Sequence, residues 1–167
     1  MRTILLSILL LFAISVNAQR ISFETLMKIQ KQNPVEFEDY FLGLGFAPEN
    51  EYGNVGNLDT YVFGKNKNSE TNYLSVSKYV YDGKNVKSSI TTLLQSEYKY
   101  YKNEAVKKGF KYISSEKDEQ IVTHIYKVGN YEVELITYNI PNGVMYNITF
   151  IDKANNDSYH KKEKLKK

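Results

Sequence analysis

The chain carries two histidines and no cysteine, which leaves little material for nucleophilic or metal chemistry. A serine nucleophile needs a base beside it. His124 stands between Thr123 and Ile125 in a run that alternates like a strand, and no Gly-x-Ser-x-Gly elbow exists to partner it. His160 lies in a lysine-rich tail. Two histidines without cysteine and without ligand-like spacing cannot close a zinc site. Carboxylates come in two groups. Glu36, Glu38 and Asp39 fall in the first turns of an expected helix, where acids favour the positive end of the macrodipole. Glu132 and Glu134 share one strand face about 7 Å apart, near the range used by glycosidases, but alternation with Val133 and Leu135 places them on the solvent side of a half-buried strand. Asn155-Asn156-Asp157 lacks the spacing of a calcium loop, and the glycines never assemble into a phosphate cradle. No catalytic residue, metal site or cofactor is expected, and the chain reads as a non-enzyme.

Tyrosine is the compositional feature with functional content, at 15 of 167 residues. If Leu74, Val76, Val133 and Leu135 face helices, alternation puts Tyr79 and Tyr138 on the uncovered face of a sheet. If the neighbouring strands bury Val62 and Ile125, then Tyr61, Tyr126 and His124 join that face. Aromatic rings with polar tips add contact area at low entropy cost. These five residues are therefore the candidate binding surface.

The elements that must position them follow from periodicity. Asn33-Pro34 supplies an N-cap and a proline at the first helical position. Phe37, Phe41 and Leu44 form one apolar stripe, and Gly45 is the expected left-handed C-cap. In a second unit Ser96 is the expected cap, Tyr98, Tyr101 and Ala105 the stripe, and Gly109 the end. A further helix, Ser22 to about Gln30, precedes the first unit. After each Gly-Phe helix end (Gly45-Phe46 and Gly109-Phe110) the period changes to 2. Counting those Gly-Phe ends, five landmarks recur in one order, continuing through Tyr61 to Gly64 and Tyr126 to Gly129, Tyr79 and Tyr138, Asp82-Gly83 and Asn142-Gly143, and Ile90-Thr91 and Ile148-Thr149. The glycine-containing pairs are hairpin turns, and the polar stretch Lys65 to Asn72 is an insertion into the first hairpin. The predicted class is α+β: two tandem units of a helix followed by a three-stranded antiparallel meander, at about residues 21–95 and 96–152, with the helices packed on one face. Together they make a single domain over residues 19–153.

This order of elements, with its two Gly-Phe helix ends, resembles the beta-lactamase inhibitor protein family, which is also exported and also built from two tandem helix and meander units. The resemblance implies a binding role for the fold and carries over no individual residue.

The ends of the chain concern its destination. Arg2, an apolar run from Ile4 to Val16, and Val16-Asn17-Ala18 read as a signal peptide over residues 1–18, too short for a membrane anchor. No cysteine follows it, so no lipoprotein is expected. No later segment reaches membrane-spanning length. The expected product is periplasmic or extracellular, and its lysine, asparagine and tyrosine usage fits the codon bias of an AT-rich bacterial genome. Without cysteine an ordinary core must hold it, which a domain of about 150 residues can supply. The formal charge is +3. Loss of Arg2 with the leader and the lysine-rich tail after Ala154, read as a disordered basic tail over 154–167, leave a slightly acidic body. Nucleic acid is therefore not an expected partner. The expected function is an exported binding module for a protein, of inhibitor or immunity type, or for an envelope ligand. The alternatives are a structural envelope protein without a discrete ligand and a carboxylate-based hydrolase.

Overall fold

The computed structural model describes residues 20–49, 54–55, 57–66 and 72–158. The expected leader, most of the insertion between Lys65 and Asn72, and the tail beyond residue 158 lie outside them.

Helices α1 (Phe23–Ile29), α2 (Pro34–Gly43) and α3 (Gln95–Lys107) follow the apolar spacing, and side-chain caps mark the start of α1 and α2. Ser22 Oγ accepts from the Thr25 N–H at the head of α1. Asn33 and Glu36 close a reciprocal capping box at the head of α2, with Pro34 just inside it. The two Gly-Phe pairs are helix ends of one design. Phe46 N donates to Phe41 O at 3.0 Å and Gly45 N to Leu42 O at 2.9 Å; Phe110 and Gly109 do the same to Ala105 and Val106, each at 3.0 Å. This closure places the glycine at positive φ, 77° in Gly45 and 85° in Gly109. It also swings the following ring back over the helix, so that Phe46 lies 5.1 Å from Phe41. The head of α3 differs from expectation. Ser96 lies within the first turn, and the N-cap is Leu94, which makes no side-chain cap. The Leu94 N–H is instead taken by Thr92 Oγ1 at 3.2 Å.

The fold class is α+β, with one antiparallel sheet. Its strands are β1 (Ala47–Pro48), β2 (Asn54–Val55), β3 (Leu58–Lys65), β4 (Leu74–Tyr81), β5 (Lys84–Thr92), β6 (Lys111–Asp118), β7 (Ile121–Val128), β8 (Tyr131–Ile140) and β9 (Gly143–Asp152). They are ordered β1-β3-β4-β5-β9-β8-β7-β6, and β2 also pairs with β3. After α3 there are four hairpin-linked strands where three were expected. The additional one, β6, is an edge strand exposed along almost its whole length; it is held by backbone pairing and carries no apolar alternation. β5 and β9 join the two runs of strands, and Ile90 stands opposite Ile148 in that pairing.

Register divides the sheet into two faces. Phe63, Val76, Ile90, Ile148 and Leu135 lie in one cross-strand row. They join Phe23, Leu26 and Ile29 of α1, Phe37 and Phe41 of α2, and Tyr101 and Ala105 of α3 in one buried cluster. This is the core face. A helical turn follows β9 at residues 153–158, where disorder was expected from Ala154. Lys153 and Asp157 pair at 3.0 Å across it, and Asn155 Nδ2 donates to Asn85 O at 3.0 Å, tying the turn to β5.

Candidate functional site

The face opposite the core carries the residues of the other parity. Two rows of small polar side chains cross β4, β5 and β9 there: Ser75, Thr91 and Asn147, and beside them Ser77, Ser89 and Thr149. None belongs to the core cluster, yet Ser75, Ser77, Ser89 and Thr149 are all buried. Asn147 Nδ2 donates to Thr91 Oγ1 at 2.9 Å, and Thr149 Oγ1 donates to Asn147 Oδ1 at 2.6 Å. A hydroxyl or amide floor of this kind can both donate and accept.

On β8 the rows end at Glu134 and Ile136, with Glu132 two residues before. Glu132 is 8% exposed and pairs with Lys127 of β7 at 2.8 Å. Glu134 is half-buried and stands between Thr149 and Ile125. Burial first, and then the charge of Glu132, push its carboxyl above the usual range, and a hydrogen bond with Glu132 acts the same way; Lys87 pulls it back. Two acids and the Lys127 ammonium thus meet at this end of the rows.

At the far end, over β3, stands a third acid. Glu49 continues the pairing of β1, its N–H donating to Val62 O at 2.9 Å, so its side chain shares the polar face with Val62. The carboxyl lies on Gly64, where an added Cβ would come within 1.9 Å of Oε1. Tyr73 OH donates to Glu49 Oε2 at 3.0 Å. Glu49 is 9% exposed, and its Oε1, shielded from solvent, has no hydrogen-bond partner among the described residues.

The five tyrosine and histidine candidates separate. Tyr79 and Tyr138 lie on the polar face as expected, opposite Lys87 and Met145. The Lys87 ammonium sits 4.6 Å over the Tyr79 ring. The Tyr138 phenol is raised by burial first, then by the charge of Glu134 and by Tyr79. Tyr79 is three strands away and six residues off in register, so the two tyrosines stand at opposite corners of the face. Tyr61, Tyr126 and His124 lie on the core face instead. Tyr126 is opposite Val133 and buried in the core cluster, and Tyr61 packs against it. His124 Nδ1 bonds Ser115 Oγ, which also bonds Tyr112 OH at 2.8 Å. Ile125, expected to be buried with the core, faces Glu134. Sequence reasoning missed Glu49 and the serine rows. A glycine inside a strand run was the available signal, since it marks a close approach of another group.

Among the described residues no group of three His, Asp or Glu stands together to hold a metal ion, and no helix is long and apolar enough to cross a membrane. Together these observations define an α+β chain with one sheet face in the core and a second, polar face lined by hydroxyls and acids. Comparison with protein-family models, with curated proteins and with solved structures finds no match.

Proposed function

We propose that this chain is an exported binding module, and that its polar sheet face is the recognition surface. The observation that carries the reading is the burial of Ser75, Ser77, Ser89, Thr149, Glu132 and Glu49 on a face that contributes nothing to the core cluster. Polar groups withdrawn from water cost free energy unless they are matched, and a face that keeps them is better explained by a ligand than by stability. The N-terminal leader pattern supports export to the periplasm or medium. In this reading the two runs of strands are tandem units related across the β5–β9 pair, with Ile90 and Ile148 as equivalent residues and the helices all on the core side. The likeness in element order to the beta-lactamase inhibitor protein family fits a binding role.

The test is capture of an envelope component by tagged protein, compared with a Tyr79→Ala, Tyr138→Ala variant. Both rings stand on the polar face at its margins, so capture is lost while the melting temperature changes little. A large loss of stability with retained capture would place these rings in the structural framework and sink the assignment of this face.

A further inference from the structure

We infer that two copies of this chain pair edge to edge through β6, about a two-fold axis at Ser115, giving one continuous sheet with both polar faces on the same side. Such pairing is independent of what the polar face binds. Seven of the eight residues of β6 are exposed, among them Tyr112 at 55% and Ile113 at 52%. The opposite edge of the sheet ends in β1, two residues long, and Pro48 there has no N–H to offer. Pairing of β6 with β1 of a next copy would run on into a filament, whereas β6 against β6 closes as a dimer.

Backbone direction fixes which groups of the edge are open. Asn139 N donates to Gln120 O at 2.8 Å, so Gln120 turns toward β8. By alternation Ile121, Thr123 and Ile125 turn toward β6, and their partners Asp118, Glu116 and Ser114 turn inward to meet them. Lys117, Ser115 and, across the bulge at Ile113, Tyr112 are left with outward backbone groups. Setting Ser115 against the second copy's Ser115 brings Lys117 against the second copy's Tyr112, so the outward groups all match in one register. The side chains match in it too. Lys111 and Asp118 both turn to the polar side, and counting past the bulge each meets the other across the axis, twice over. Lys111 stands opposite Lys127, whose ammonium is taken by Glu132. Among the described residues neither Lys111 nor Asp118 has an ion-pair partner of its own. On the core side the second copy's Lys117 meets the half-exposed ring of Tyr112, a cation on an aromatic face, and that ring is held in place because its hydroxyl bonds Ser115 Oγ at 2.8 Å. Charges along an edge discourage pairing with strands in general. These charges are placed so that a second copy, in one register, satisfies them.

Sedimentation equilibrium of the full mature chain, from micromolar to millimolar concentration, tests this. A reversible monomer–dimer equilibrium is expected, and a weak one because the contact is small. Lys111→Glu sets like charges opposite each other at both ends of the pairing, as does Asp118→Lys, and each should weaken the dimer roughly ten-fold or more. Both substitutions in one chain restore opposite charges and should restore the dimer. Lys117→Pro removes an outward N–H while sparing the pairing with β7, and should abolish association without lowering the melting temperature much. A chain that stays monomeric at every concentration would overturn the proposal. So would a dimer indifferent to all of these variants, which would place the contact elsewhere, or one that the double charge reversal fails to restore, which would refute the register. Open-ended association would overturn it in favour of a filament.

Discussion

Replacing Lys78 by methionine should change how the stability of this protein responds to alkaline pH. Lys78 is fully buried on β4, on the core side of the sheet. Its ammonium donates to Ile29 O at 2.7 Å and Gln30 O at 3.3 Å, the carbonyls left open at the end of α1, and it lies 5.7 Å from the centre of the Phe37 ring. Burial lowers its pKa from 10.5 to about 8, with Glu36 pulling the other way. Below pH 8 the amine is charged in the folded and unfolded chain alike, and folding bears the cost of burying that charge. Between about pH 8 and 10.5 the unfolded chain keeps the proton and the folded chain has released it, so stability rises with pH. Each pH unit in that window is worth about 1.4 kcal/mol, or about 3 kcal/mol across it. Urea denaturation of wild type and Lys78→Met from neutral pH to pH 10.5 gives the difference directly, and groups common to both chains, the buried Tyr101 phenol included, cancel in it. The difference should be flat up to pH 8 and then move in favour of wild type by about 3 kcal/mol. A difference that stays flat throughout would refute the argument, because it would mean that the folded chain holds Lys78 in a water-like setting.

Two further substitutions test local geometry. Gly64→Ala puts a Cβ within 1.9 Å of Glu49 Oε1 and should cost about 1–3 kcal/mol by overpacking. Glu49→Ala in the same chain should recover most of that loss, and simple additivity in a double-mutant cycle would contradict the contact. Asn33→Ala removes the side-chain oxygen that accepts from Glu36 N at 3.0 Å and should lower stability by about 1 kcal/mol, read as a shift in the urea midpoint without a change in slope.

What the sequence made legible was local. Asn33-Pro34, the two Gly-Phe helix ends and Asp82-Gly83 each act within a few residues, and the alternation of Leu74, Val76, Val133 and Leu135 marks strands that have one apolar side. The face assignment of β7 was not legible, because both alternations there carry apolar residues: Ile121 and Ile125 on one, Val122 and Tyr126 on the other. Only the cross-strand partner decides, and pairing with Val133 takes Tyr126 and His124 to the core side. β3 is ambiguous in the same way, and there Phe63 takes Tyr61 to the core side and leaves Val62 on the polar one. β6 was hidden because an edge strand needs no apolar face to be held, and its charges suit a free edge. Lys78 and Glu49 were hidden because what buries them is distant in the chain: the end of α1 for one, Tyr73 and Gly64 for the other.

The pairing of β5 with β9 bears on how such a chain is made. β9 is the last of the nine described strands, so the central seam of the sheet cannot close until the chain through residue 152 is available. Before then β5 and β8 each present a row of unpaired backbone groups, and the contacts that bury them span more than fifty residues of sequence. Long-range closure of this kind is slow. A chain that finishes its sheet late stays unfolded longer and is exposed to aggregation in the meantime. Truncation within β9 should therefore leave a chain with two open half-sheets rather than a slightly weakened fold.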